Sequence, residues 1–185
     1  MNVQLFVNGR PFDDEYCLGI FESGYVEVPN SSSLNPTNAI TLELWIKPTD
    51  WNGNRRLLQK GLGDNQYRLL AEWGAFKFHL YGVTNGVLTC DLPSTGVWHH
   101  VVAVYDGSKM QIWIDGAKEA ERTDVSGSIN TTSDPLYIGT KSPSSSSGDF
   151  FNGEIDEIRI YGRALTEEEI LYSYNDGMGR YCLLY

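Results

Sequence analysis

The chain has 185 residues, with 14 Lys and Arg against 24 Asp and Glu and a formal net charge of −10. That length suits one domain, 1–185, with a substantial core. The acidity sets aside nucleic acid and anionic membrane surfaces as partners and suits cation binding or plain solubility. No apolar run approaches the ~20 residues of a membrane span, so no membrane insertion is expected.

The first residues, MNVQLFVNGRPF, lack the basic start and long apolar stretch of a signal peptide. Turn signals then recur at short intervals: Asn8-Gly9, Ser23-Gly24, Asn52-Gly53, Asn85-Gly86, Asp106-Gly107, Asp115-Gly116, Ser126-Gly127 and Asn152-Gly153. Runs rich in Val, Ile, Tyr, Trp and Phe lie between them, which is the pattern of an all-β sandwich or barrel. In TLELWIKP, Leu42, Leu44 and Ile46 share one face; Glu43, Trp45 and Lys47 share the other. WHHVVAVYDG and KMQIWIDG read as two strands joined at Asp106-Gly107. Trp98, His100, Val102 and Val104 form an apolar face of the first strand; Ile112 and Ile114 form the core face of the second, with Trp113 pointing outward. The stretch SPSSSSGD, 142–149, is a flexible loop by composition. In FNGEIDEIRIYGRALTEEEI, alternation puts Asp156 on the same face as Ile158 and Ile160, where a carboxylate needs a partner. Thr166 and Glu169 form a capping box for a short helix whose stripe is Ile170, Leu171 and Tyr174 and whose end is Asn175-Asp176-Gly177.

TLELWIKP, WHHVVAVYDGSKMQIWIDG, LYIGT and the closing FNGEIDEIRIYGRALTEEEI, in that order, resemble a laminin-G-like domain of the concanavalin A-like lectin/glucanase superfamily over roughly residues 20 to 175. The resemblance implies an all-β, concanavalin A-like jelly-roll sandwich of two antiparallel sheets, with one short C-terminal surface helix. It also implies a structural calcium ion at Asp156, with further oxygens from around Glu22 and a main-chain carbonyl near Gly61. The alternative for Asp156 is a cap on backbone N–H groups at a β-bulge. Such domains bring their terminal strands into one sheet, which would place Cys17 near Cys182 and leave Cys90 alone. Three reduced, buried thiols are the alternative to that disulfide. About twenty residues precede GYVEVP, and FVNGRPFDDEY departs from the family pattern.

The superfamily includes glucanases, whose retaining members carry a Glu-x-Asp-x-(x)-Glu arrangement. Here Glu154 and Asp156 fill the first two places, but Ile158 and Arg159 occupy the next carboxylate positions. The pair of carboxyls that hydrolysis needs is therefore incomplete. His79, His99 and His100 suggest no catalytic constellation, and His100 reads as a hydrogen-bonded core residue.

A non-catalytic binding or adhesion module is the expected function. Outward-facing Trp45, Trp113 and Tyr161, with Arg159 beside them, offer aromatic faces flanked by polar groups, as sugars require. Trp51, Tyr67 and Trp73 offer a second platform at one end of the sandwich. The expected partner is a glycan or a cell-surface or virion protein, in an extracellular or virion-surface setting. The alternative is a surface-assembly protein of a virus or phage that binds no sugar.

Overall fold

Alternating apolar positions become strands wherever one side can be buried. The computed structural model describes residues 2–4, 18–20, 24–62, 65–142 and 149–177. Its strands are β1 (Asn2–Gln4), β2 (Leu18–Ile20), β3 (Val26–Val28), β4 (Ile40–Pro48), β5 (Arg55–Lys60), β6 (Tyr67–Glu72) and β7 (Ala75–Leu80). After these come β8 (Val87–Cys90), β9 (His99–Tyr105), β10 (Met110–Ile114), β11 (Ala117–Arg122), β12 (Leu136–Ile138), β13 (Gly153–Tyr161) and the helix α1 (Glu167–Gly177).

Two antiparallel sheets result. The first runs β1-β13-β4-β9-β10-β11, with β2 also pairing with β13; the second runs β3-β12-β5-β6-β7-β8. Leu42, Leu44 and Ile46, Val101 and Ala103, Ile112, Ile155, Ile158 and Ile160 line the inner face of the first. They meet Leu58, Leu69, Phe76, Phe78, Leu136 and Ile138 of the second. Each Val, Leu, Ile or Phe among them, fully withdrawn from water, contributes about 1.5–3 kcal/mol.

The first sheet is covered on its outer side too. The capping box forms as expected: Thr166 N–H donates to Glu169 Oε2 at 2.9 Å, and Glu169 N–H donates to Thr166 Oγ1 at 3.2 Å. Arg163 grips both oxygens of the same Glu169 at 2.8 and 2.7 Å, which fixes the entry to the helix. Leu165 and Ile170 then pack on Val102, Val104 and Trp113 in a second, smaller core. The contact is close: a Cβ on Gly116, at φ +77°, would lie 2.9 Å from the Tyr174 ring. His100, Val102 and Val104 do share a face, but it is this outer one; Val101 and Ala103 fill the space between the sheets.

The expected placement of Asp156 beside Ile158 and Ile160 is wrong by one residue. Asp156 pairs with Trp45 and Arg159 with Glu43, so Glu157 and Ile158 together oppose Leu44 alone. This bulge, with Glu157 at φ 48°, reverses the alternation. Ile155 and Ile158 both reach the inner core, whereas Glu154 and Asp156 lie on the outer face. The segment 143–148, most of the expected flexible loop, lies outside the described residues.

Candidate functional site

The outer face of the first sheet carries the first group of candidate binding residues, and α1 closes it. Trp45 is 3% exposed and Trp113 5%. Trp45 stacks on Tyr174 of α1 with ring centroids 6.0 Å apart and on His100 at 5.0 Å. Neither indole offers a face to a sugar. Arg159 and Tyr161 converge on Glu43, which is 0% exposed. Tyr161 Oη donates to Glu43 Oε2 at 2.9 Å, Arg159 Nη1 lies 3.5 Å from Oε1, and His100 Nε2 lies 3.0 Å from the same oxygen. Burial raises the Glu43 carboxyl, but His100, Arg159 and Tyr161 together outweigh it and hold the group below its ordinary range. Tyr161 is half-buried on the wall of a cavity of about 340 Å3 beside the helix. The cluster is a buried ion network that joins β4, β9 and β13, in which His100 Nδ1 has no partner among the described residues.

Asp156 is buried on that same face, and its Oδ1 accepts the Glu157 N–H at 2.8 Å across the bulge. Burial, and then the Glu157 charge, push its carboxyl up to about 6. Gly61 follows β5 in the other sheet, where its carbonyl accepts Gln59 Nε2 at 3.1 Å. Among the described residues no group of three or more His, Cys, Asp and Glu side chains is placed to hold a metal ion. Glu22, the third expected calcium ligand, and Cys17 and Cys182 lie outside the described residues. Glu154 pairs with Lys47 at 2.9 Å. Cys90 is a free thiol pushed up to about 12, by burial and then by Glu119 and Asp91, which makes it a poor nucleophile.

The second group of candidates divides. Tyr67 is wholly buried, with its hydroxyl donating to the Leu34 carbonyl at 3.2 Å. Trp51 packs against the core beside Phe76 and Phe151, and its Nε1 donates to the Pro93 carbonyl at 2.7 Å. Trp73 is different, being 84% exposed. It occupies the first position of the two-residue turn between β6 and β7, at φ 53°, with Gly74 at φ 76°. The β10–β11 turn has the same form, with Asp115 at φ 52° and Gly116 at φ 77°. Asp-Gly is what such a turn favours; a bulky indole in the left-handed region is a costly substitute. Lys77 Nζ stands 4.3 Å from the centroid of the Trp73 ring.

Trp73 rims the outer face of the second sheet. Register places Arg56, Leu70 and Lys77 in one row across β5, β6 and β7, and Gln59, Arg68 and His79 in the next. Glu72 lies between two cations, 3.4 Å from Arg56 Nη2 and 3.4 Å from Lys77 Nζ; Asp149 is 3.9 Å from Arg56. Arg68 Nη2 donates to His79 Nδ1 at 3.1 Å, and its guanidinium lies 5.3 Å from the Tyr81 ring centroid. Burial, and then the charges of Arg68 and Lys77, hold the His79 ring down at about 4. Burial followed by Arg68 also lowers Arg56.

The match to known proteins is clearest at the level of family. The Laminin_G_3 family model, described as concanavalin A-like lectin/glucanases superfamily, covers residues 21–171. The chain belongs to this family. No curated protein matches it in sequence. Among solved structures, the binding domain of Paraclostridial Mosquitocidal Protein 1 superposes with a TM-score of 0.64 at 16% identity, over 84% of this chain and 42% of that one. The chain thus spans under half the length of that relative. Domain 4 of AbnA, an extracellular arabinanase from Geobacillus stearothermophilus solved with arabinotriose, gives 0.65 at 18% identity, over 84% and 75%. The CBM40 of Ruminococcus gnavus IT-sialidase, bound to α2,3 sialyllactose, gives 0.66 at 18% identity, over 86% and 96%. These likenesses show the fold.

In this laminin-G-like chain the sequence alone points to Trp73 on this face, and not to Arg56, Arg68, Lys77 or His79. A signal was present. Lys77 and His79 alternate with Phe76 and Phe78, which marks a strand with one apolar and one basic face.

Proposed function

We propose that this protein is a non-catalytic carbohydrate-binding module that docks glycan on the outer face of its second sheet, against Trp73. The observation that carries the reading is the Trp73-Gly74 turn. Backbone strain is retained there to present an indole that is 84% exposed, while the other candidate tryptophans and Tyr67 are packed away. An aromatic face stacks the C–H side of a pyranose, and the neighbouring Lys77 and Arg68 supply edge hydrogen bonds. The fold is shared with modules solved with arabinotriose and sialyllactose, which supports the same reading. A catalytic role lacks support: Glu154 is paired with Lys47 and Asp156 with its own bulge.

The test is Trp73→Asn, with glycan-array and calorimetric binding measured beside thermal stability. Asn-Gly suits the turn, so stability should rise by roughly 0.5–1 kcal/mol, because relief of the left-handed backbone exceeds the lost exposed cation–π contact. Glycan binding should fall at least tenfold. Unchanged binding would remove Trp73 from the site; a parent protein that binds no glycan would sink the reading.

A further inference from the structure

The sheet face behind Trp73 has an unusual hydrogen-bond balance. Arg56 is 4% exposed, yet its Nε and Nη1 groups have no partner among the described residues. The two carboxylates near it stand at 3.4 and 3.9 Å from Nη2, long for charge-assisted bonds. His79 accepts from Arg68 at Nδ1, so in its neutral form the proton sits on Nε2. That Nε2 is also buried without a partner. The unpartnered groups of Arg56 and His79 are therefore all donors. A buried donor left unsatisfied is expensive, and its remedy is an acceptor brought from outside. A sugar hydroxyl brings a donor together with its acceptor; an ionised acid brings acceptors alone.

We infer that the site takes an acidic glycan, whose anionic substituent is received by Arg56 and His79 Nε2 while a neighbouring sugar ring lies against Trp73. This rests on the carbohydrate-binding reading above and specifies its ligand. Arg56 and Lys77 flank Glu72 from adjacent strands, and their positive charge and that of Arg68 all bear on His79. This patch of the sheet is thus locally positive in a chain of net charge −10. An anion that reaches these buried groups meets donors that are already in place, so ordering them costs little on binding.

Matched ligand pairs test this without altering the protein. Sialyllactose is compared with lactose, an oligogalacturonate with its methyl ester, and a sulfated lactose with lactose, all by titration calorimetry. At least one acidic member should bind about tenfold or more tighter than its neutral partner, as one charge-assisted hydrogen bond implies. Which pair responds identifies the acid as a sialate, a uronate or a sulfate ester. Arg56→Gln should erase the difference between the members of that pair; His79→Ala, at a less buried position, should reduce it and guards against misfolding of the first variant. Equal affinity within all three pairs overturns the acidic-ligand inference and leaves the carbohydrate-binding reading standing. Absence of binding to any member, together with a blank neutral-glycan array, removes both.

Discussion

At Asp156 the β13 bulge has a consequence that pH can reveal. The carboxyl is raised to about 6, first by burial and then by Glu157, from 3.8 in the unfolded chain. The folded protein therefore holds this proton more tightly than the unfolded one. Its contribution to stability is fully present below about pH 4 and is lost as pH rises through about 6, after which it is flat. Asp156→Asn should melt higher than the parent at pH 7, by up to about 3 kcal/mol, with the gap closing near pH 4. His79, held down at about 4, acts in the opposite sense over a similar window. The difference between parent and variant melts, rather than the parent's own profile, isolates Asp156. A calcium ion on this carboxylate would reverse the result, with Asp156→Asn melting lower and the loss depending on added calcium. The misplacement of Asp156 by alternation has the same origin: one residue inserted opposite Leu44 turns its side chain to the other face of the sheet.

The helix is the element that separates apparent from actual binding surface. Ile170 is 1% exposed against Val102, Val104 and Trp113. Ile170→Ala should cost about 2–5 kcal/mol and shift tryptophan emission to longer wavelength, because Trp45 and Trp113 lose their cover. Normal stability with unshifted emission would mean that α1 is not docked in solution. The capping box made the existence and start of α1 legible in the chain, and period-two alternation did the same for β4, β9 and β10. The face on which α1 would settle was not legible. Alternation says that Trp45 and Trp113 point away from Leu44 and Ile112, but a second layer and open water demand the same parity. The basic face of β5, β6 and β7 escaped notice for a related reason: Arg68, Lys77 and His79 look like the polar side of any half-solvated strand until register lines them up.

Across the whole molecule, the two outer faces of the sandwich have opposite fates. One is sealed by α1 over an ion network; the other keeps buried donors beside an exposed indole. The basic cluster on that second face belongs to a chain of net charge −10, and this shapes the kinetics of any encounter with an acidic glycan. In dilute buffer, where the screening length is roughly 30 Å, the ligand meets the field of the entire chain and is repelled. At physiological ionic strength, with a screening length of about 8 Å, only the nearest charges act, and those are attractive. Added salt should therefore accelerate association with an acidic oligosaccharide, contrary to the usual behaviour of charged partners, and leave a neutral one unaffected. Stopped-flow measurements between about 10 and 150 mM salt would show it; an on-rate that falls with salt would mean that the cluster's field already dominates at long range.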